Sequence, residues 1–196
     1  MRRALLLPIV LLVAGGCASG VGLDVGYPAS GINRAMLASA PSRSVTLGPV
    51  TDRRRETRIG IEPESKKDIV TRRSVSEIVR DALAAELGAN GHTLAADRAD
   101  LRLAVDVEEF RLDVVRAYAS TQYVGKVVIA LAVTDPTGRR LLDRRYLGIN
   151  RRQADADSES APREVMDTAL ARAMHDLATD PDLVRAFARV STAAAR

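Results

Sequence analysis

The stretch LRLAVDVEEFRLDV, residues 101–114, decides the fold. Leu101, Leu103, Val105 and Val107 fall on one side of an extended chain. The alternation breaks at Glu108-Glu109 and resumes out of phase through Phe110, Leu112 and Val114. One extra residue at that point returns the apolar side chains to their original face, so the segment predicts a single long strand with a bulge at Glu108-Glu109. Downstream, Gln122 to Thr134 predicts a second strand and Arg140 to Asn150 a third. Between them Asp135-Pro136-Thr137-Gly138 is a hairpin turn with a glycine placed for positive φ. These three strands form an antiparallel meander.

Upstream, Ser44 to Val50 alternates until Gly48-Pro49 interrupts it, which predicts an edge strand carrying its own bulge. Thr51 to Arg73 is charged and irregular, with Ile59, Ile61, Ile69 and Val70 as its candidates for burial. Ser74-Val75-Ser76-Glu77 has capping-box spacing, and Val75, Ile78, Val79, Ala82, Leu83 and Leu87 follow at helical period up to a stop at Asn90-Gly91. Arg151 to Ser160 reads as a loop. Pro162 and Glu164 then open a helix that turns Val165, Ala169, Leu170, Ala173, Met174 and Leu177 inward, and Asp180-Pro181 starts a short last helix. A right-handed crossover makes the first two strands parallel. The expectation is an α+β two-layer sandwich: a mixed sheet of about four strands with its helices on one face.

The 196 residues contain 29 Lys plus Arg, 25 Asp plus Glu, one cysteine and 46% hydrophobic residues. That composition excludes a disordered polyelectrolyte, and a single cysteine excludes an internal disulfide framework. The chain opens with Met1-Arg2-Arg3 and an apolar run from Ala4 to Val13, too short to span a bilayer that needs about 20 residues. Leu12-Val13-Ala14-Gly15-Gly16-Cys17 follows and resembles the bacterial lipobox, with Ala14 where that pattern usually has Leu. Cys17 is accordingly the expected lipidation site, the alternatives being a chance cysteine near an ordinary cleavage site or a free thiol in a membrane helix. Residues 1–16 are read as the leader, 17–43 as a lipidated N-terminus and flexible Gly/Ala/Ser/Pro-rich tether, 44–190 as one domain and 191–196 as a tail. Losing the leader removes Arg2 and Arg3 and lowers the formal charge from +4 to +2. The G-x-G-x-x-x-G run from Gly20 to Gly26 has neither the spacing nor the flanking elements of a phosphate loop.

Chemistry is sparse. His92 and His175 share no metal-binding spacing, no G-x-S-x-G elbow occurs, and the calcium-loop mimic Asp155 to Glu159 lacks its glycine and its bidentate acid. No catalytic residue, metal or cofactor is therefore expected. Arginine is the enriched group: Arg53 and Arg54 after the first strand and Arg144 and Arg145 in the last are candidates for anion binding, with solvated surface as the alternative. Without aromatic stacking partners they do not predict nucleic-acid binding. In the strand from Gln122 to Thr134 both faces are largely apolar, so Val124, Val128, Ala130 and Ala132 are the candidate interface. An envelope protein, a second copy of the chain and anionic lipid are the partners weighed, against ordinary exposed surface.

A resemblance joins these features. The lipobox-like start, Val45-Thr46-Leu47 with Val50-Thr51-Asp52-Arg53, Ile59-Gly60, the helix end from Leu83 through Leu87 to Gly91-His92, Asp100-Leu101 and the tail Leu177, Asp180, Leu183 resemble the YajG family of uncharacterised bacterial lipoproteins. The likeness covers most of residues 44–190. It implies a lipid-anchored protein on the periplasmic face of the outer membrane, since Ala18 rather than Asp follows the cysteine, and it carries over no catalytic residues. A looser similarity links the chain to auxiliary lipoproteins of lipid transport and lipopolysaccharide assembly. Two functions follow as expectations: a non-catalytic adaptor for another envelope protein, or a lipid- or glycolipid-binding carrier.

Overall fold

The structure, a computed structural model, describes residues 20–32, 34–155 and 158–189. The leader, Cys17 and the tail 191–196 lie outside them. The main sheet has five strands in the order β5-β2-β6-β7-β8, formed by β2 (Ser44–Asp52), β5 (Thr93–Leu94), β6 (Leu101–Arg116), β7 (Ser120–Thr134) and β8 (Arg140–Asp155). β2 runs parallel to both β5 and β6, whereas β6, β7 and β8 are antiparallel neighbours. A second, three-stranded sheet in the order β1-β4-β3 joins β1 (Val21–Leu23), β3 (Gly60–Ile61) and β4 (Asp68–Thr71). Both expected bulges are present: the β2/β6 register shifts between Leu47 and Val50, and the β6/β7 register between Val107 and Glu109. Because of the second shift, Phe110 and Leu112 return to the face of Val105 and Val107 and are buried.

Helices α1 (Val75–Ala89), α2 (Ala161–Ala178) and α3 (Pro181–Ala188) complete the fold. Ser74 Oγ accepts the Glu77 amide at 3.2 Å and the Ser74 amide donates to Glu77 Oε2 at 3.1 Å, which fixes the start of α1. Gly91 ends it at φ +86°, and Gly138 has the same φ in the β7–β8 turn. The inward residues of β6 and β7 meet the apolar stripes of α1 and α2 in one core. α2 lies against the sheet backbone itself, because Gly125 and Gly148 offer no side chain: a Cβ on Gly148 would stand 1.9 Å from the Ala169 carbonyl oxygen.

Three expectations are corrected. The four expected strands are joined in the main sheet by β5, and the irregular stretch 51–73 folds into β3 and β4. Such strands, two to four residues long, cannot display a period. β8 continues through the expected loop to Asp155, as an edge strand whose residues there are exposed and polar except Ala154. Residues 20–32 and 34–43 are no tether. Val25 and Leu37 are buried, and Leu23 is nearly so. Polar bonds fasten the same segment: Gly26 N to Asp167 Oδ1 (2.9 Å), Tyr27 Oη to Glu86 Oε2 (2.6 Å) and Ala35 N to Asn90 Oδ1 (2.8 Å). The apolar anchors are too few and too irregularly spaced to betray this packing in the sequence.

Candidate interaction face

All the helices pack on one side of the main sheet, which leaves the other side of β7 open. Alternation along β7 buries Tyr123, Val127, Ile129, Leu131 and Val133 and places Val124, Val128, Ala130 and Ala132 in one row on the open side, each partly exposed. Register extends that row sideways: Val128 pairs with Leu147 and Lys126 with Ile149 on β8. Leu147 is 46% exposed, so the apolar patch is wider than β7. The register shift between Val133 and Thr134 hid Leu147 from the sequence, because the pairing next to the turn, Thr134 with Arg140, would put Tyr146 opposite Val128.

Charges of both signs frame the patch, already paired. Lys126 Nζ donates to Glu109 at 3.0 Å, Arg111 pairs with Asp113 at 3.2 Å, and Arg53 with Asp106 at 3.3 Å. Arg145 Nε donates to Glu108 at 2.8 Å, reaching from β8 to β6 across β7 on the side of Ala130. The most open apolar ground is therefore Val124, Val128 and Leu147. Toward Val124 the face deepens into an open groove of about 980 Å³ between β6 and the segment that carries Arg54, Arg58 and Ile61.

The four candidate arginines are each already held in ion pairs. Arg53 and Arg145 are held as above. Arg54, whose side chain is only 9% exposed, forks onto Asp52 (2.9 and 2.7 Å) and donates to the Phe110 carbonyl at 3.3 Å, tying the end of β2 to β6 beyond its bulge. Burial would raise the pKa of Asp52, but its hydrogen bonds from Arg54 overcome this and hold it below the usual carboxylate range. Arg144 points to the opposite side from Arg145 and bridges Asp180 and Asp182 at 3.5 and 3.2 Å. Every partner acid except Asp52 lies more than 30 residues away, so neighbouring acids in the sequence did not reveal the pairs.

The sequence reading also missed three buried polar groups. Tyr146 donates to Asp180 Oδ2 at 2.8 Å; burial first, then that carboxylate, raises its phenol well above the ordinary value. Glu86 is buried beneath Tyr27 and Asn90, and burial raises its carboxyl despite both hydrogen bonds. His92 is buried against the Phe187 ring, with centroids 4.6 Å apart, and its Nδ1 accepts the Arg43 amide. Burial lowers its pKa. These groups lock elements together and none opens onto the groove. Among the described residues no group of His, Cys, Asp and Glu is placed to hold a metal ion.

On the free edge of the sheet, α2 side chains occupy the β8 backbone: Asp176 accepts the Leu147 amide at 3.1 Å and Arg172 donates to the Ile149 carbonyl. That edge is closed to strand addition at its centre. The fold and site thus define a two-layer α+β domain with one helix-covered face and one open, charge-framed face. The family described as uncharacterized lipoprotein matches residues 35–187, and the chain belongs to it. The expected bacterial lipoprotein family is therefore borne out.

A crystal structure of a Xanthomonas campestris protein is similar in fold, with a TM-score of 0.55 at 13% identity over 81% of this chain and 91% of that one. A minor lipoprotein from Acinetobacter baumannii overlaps less well, with a TM-score of 0.38 at 12% identity over 69% of this chain and 91% of that one. No curated protein matches the sequence. No helix among the described residues is long and apolar enough to cross a membrane.

Proposed function

We propose that the chain is a non-catalytic adaptor, held by lipid on Cys17 at the periplasmic face of the outer membrane, whose open sheet face binds another envelope protein. The observation that carries this reading is the row Val124, Val128 and Leu147, exposed in part in the middle of a long strand pair that buries Val127, Ile129 and Tyr146 on its other face. The framing charges favour a protein partner over phosphate or nucleic acid, because cations such as Arg53, Arg111, Lys126 and Arg145 are matched by carboxylates on the same surface.

Val128→Asp tests the reading. An outward carboxylate is hydrated in the free domain but desolvated under a partner, so association is lost while the melting temperature stays within about 3 °C of the parent. Photo-crosslinking from position 128 in cells should capture a reproducible protein that position 137 does not. Normal association by the aspartate variant would return this face to ordinary surface. A second reading, binding of an amphiphile, is favoured by the groove, where Ile61, Val115 and Val124 lie beside Arg58 and Arg151. Native mass spectrometry of the Cys17→Ala chain separates the two, since a carrier retains a lipid mass through detergent-free purification.

A further inference from the structure

One end of the molecule combines the arrival of the chain with an exposed hairpin tip. β1 runs parallel to β4 with Val21 opposite Ile69, so the N-terminal segment arrives where β4 begins. A side chain on Gly20 would lie 3.1 Å from the Asp68 carbonyl oxygen. β4 begins directly after the β3–β4 turn, which closes through Glu62 N to Lys67 O at 2.9 Å. Glu64 in that turn pairs at 2.8 Å with Arg116, the last residue of β6. The β6–β7 hairpin tip, Arg116 to Ser120, is thereby brought beside the turn and the point of arrival.

The chemistry of the tip is unlike the rest of the surface. Phe110, Phe187, Tyr123 and Tyr146 are buried, and Tyr27 packs on the core. Tyr118, the remaining aromatic, is fully exposed, and Val115 beside it is 57% exposed. Cys17 precedes Gly20 by three residues, a leash of at most about 11 Å. Acyl chains on Cys17 would therefore hold this end against the bilayer, at the depth where the amphipathic ring of tyrosine is favoured.

We infer that the hairpin tip at Tyr118, with Val115 beside it, docks onto the lipid surface and fixes the orientation of the domain on its membrane. The inference rests on the lipid-anchor reading. Arg58, Lys66, Lys67 and Arg116 at this end are balanced by Glu56, Glu62, Glu64 and Asp68, with Arg58 paired to Glu56 and Asp68 and Arg116 to Glu64, so docking depends on the interfacial apolar contact and not on anionic headgroups.

The test uses the full acylated chain in vesicles of phosphatidylcholine, with and without phosphatidylglycerol. An environment-sensitive fluorophore is placed on Ala119→Cys or on Pro136→Cys. β7 has 15 residues, so these sites stand about 45 Å apart. Lipid-borne quenchers should quench position 119 several-fold more than 136, equally in both vesicles, and adding Tyr118→Asp should lower that quenching. Equal quenching at the two sites, or shielding of 119 from aqueous iodide without lipid quenching, overturns the inference. The intact mass is measured first: absence of acyl chains refutes the anchor reading and this one with it, whereas an acylated protein with an aqueous position 119 refutes only the docking.

Discussion

Adding one methyl group at Gly148 should cost more stability than most full core truncations of a valine, and the structure gives the reason. The new Cβ would meet the Ala169 carbonyl oxygen at 1.9 Å and the Ala173 nitrogen at 2.5 Å, both of them helix backbone. To restore ordinary contact α2 must retreat by about 1.5 Å, and no flexible side chain lies between helix and strand to absorb the movement. Val165, Met166, Leu170 and Met174 would lift from the core with it. Overpacking typically costs about 1–3 kcal/mol, and a clash against backbone on both sides belongs at or above the top of that range. The reduced entropy of the unfolded alanine chain returns about 0.5–1 kcal/mol. A net loss of at least about 2–2.5 kcal/mol follows, or roughly 7 °C in melting temperature for a chain of this size. Gly88, near the end of α1, has nothing within 4 Å of its would-be Cβ. Gly88→Ala should therefore stabilise by about 0.5–1 kcal/mol through helix propensity alone. Urea unfolding of both variants in the Cys17→Ala background measures the opposite signs. Gly148→Ala within about 0.5 kcal/mol of its parent would refute the close helix–strand approach.

Three further outcomes follow from the same packing. A chain that begins at Ser44 loses the burial of Leu23, Val25 and Leu37, together worth at least about 4 kcal/mol, so its urea midpoint should fall sharply; an unchanged midpoint would restore the flexible-tether reading of residues 18–43. Burial raises the Glu86 carboxyl in the folded chain, so wild-type stability drains away as pH climbs from the unfolded value through the folded one; Glu86→Gln should gain on wild type between pH 4.5 and 7, and a constant difference in urea midpoint would count against it. Cys17→Ala should lose fatty-acid labelling and move to the soluble fraction with its melting temperature unchanged, whereas continued membrane fractionation would show that the hairpin end or the sheet face binds lipid unaided.

What the sequence revealed was local. Both bulges were legible because each shifts the phase of a period-two run, at Gly48-Pro49 and Glu108-Glu109, and the caps at Ser74 and Asp180 because their side chains bond to backbone two or three residues away. The parallel β2/β6 pair and the meander then followed from handedness and turn length. Tertiary closure hid the rest. β3 and β5 are two residues long and β1 three, and Tyr27 finds Glu86 across 59 positions. The arginine clusters misled for the same reason: Arg145 looks unopposed until β6 brings Glu108 beside it. The pleat alone, however, shows that Arg144 and Arg145 cannot serve one anion, because neighbours in a strand point to opposite faces.

Anchor end and open face together constrain how a partner is met. If Tyr118 marks the bilayer, Val128 stands ten residues farther along β7, about 30 Å above the lipid surface. The row from Val124 to Ala132 then runs outward from the membrane rather than along it. A leash of only two residues between Cys17 and Gly20 leaves little freedom to change that attitude, unlike the 26-residue tether the composition implied. The partner of the adaptor reading must accordingly present its own complementary surface well clear of the headgroups, and in-cell crosslinks from position 128 should fall on domains that project from the membrane. Crosslinks from position 119 should fall on lipid-proximal segments. The two sets exchanging places would reverse the orientation and, with it, the role assigned to the hairpin.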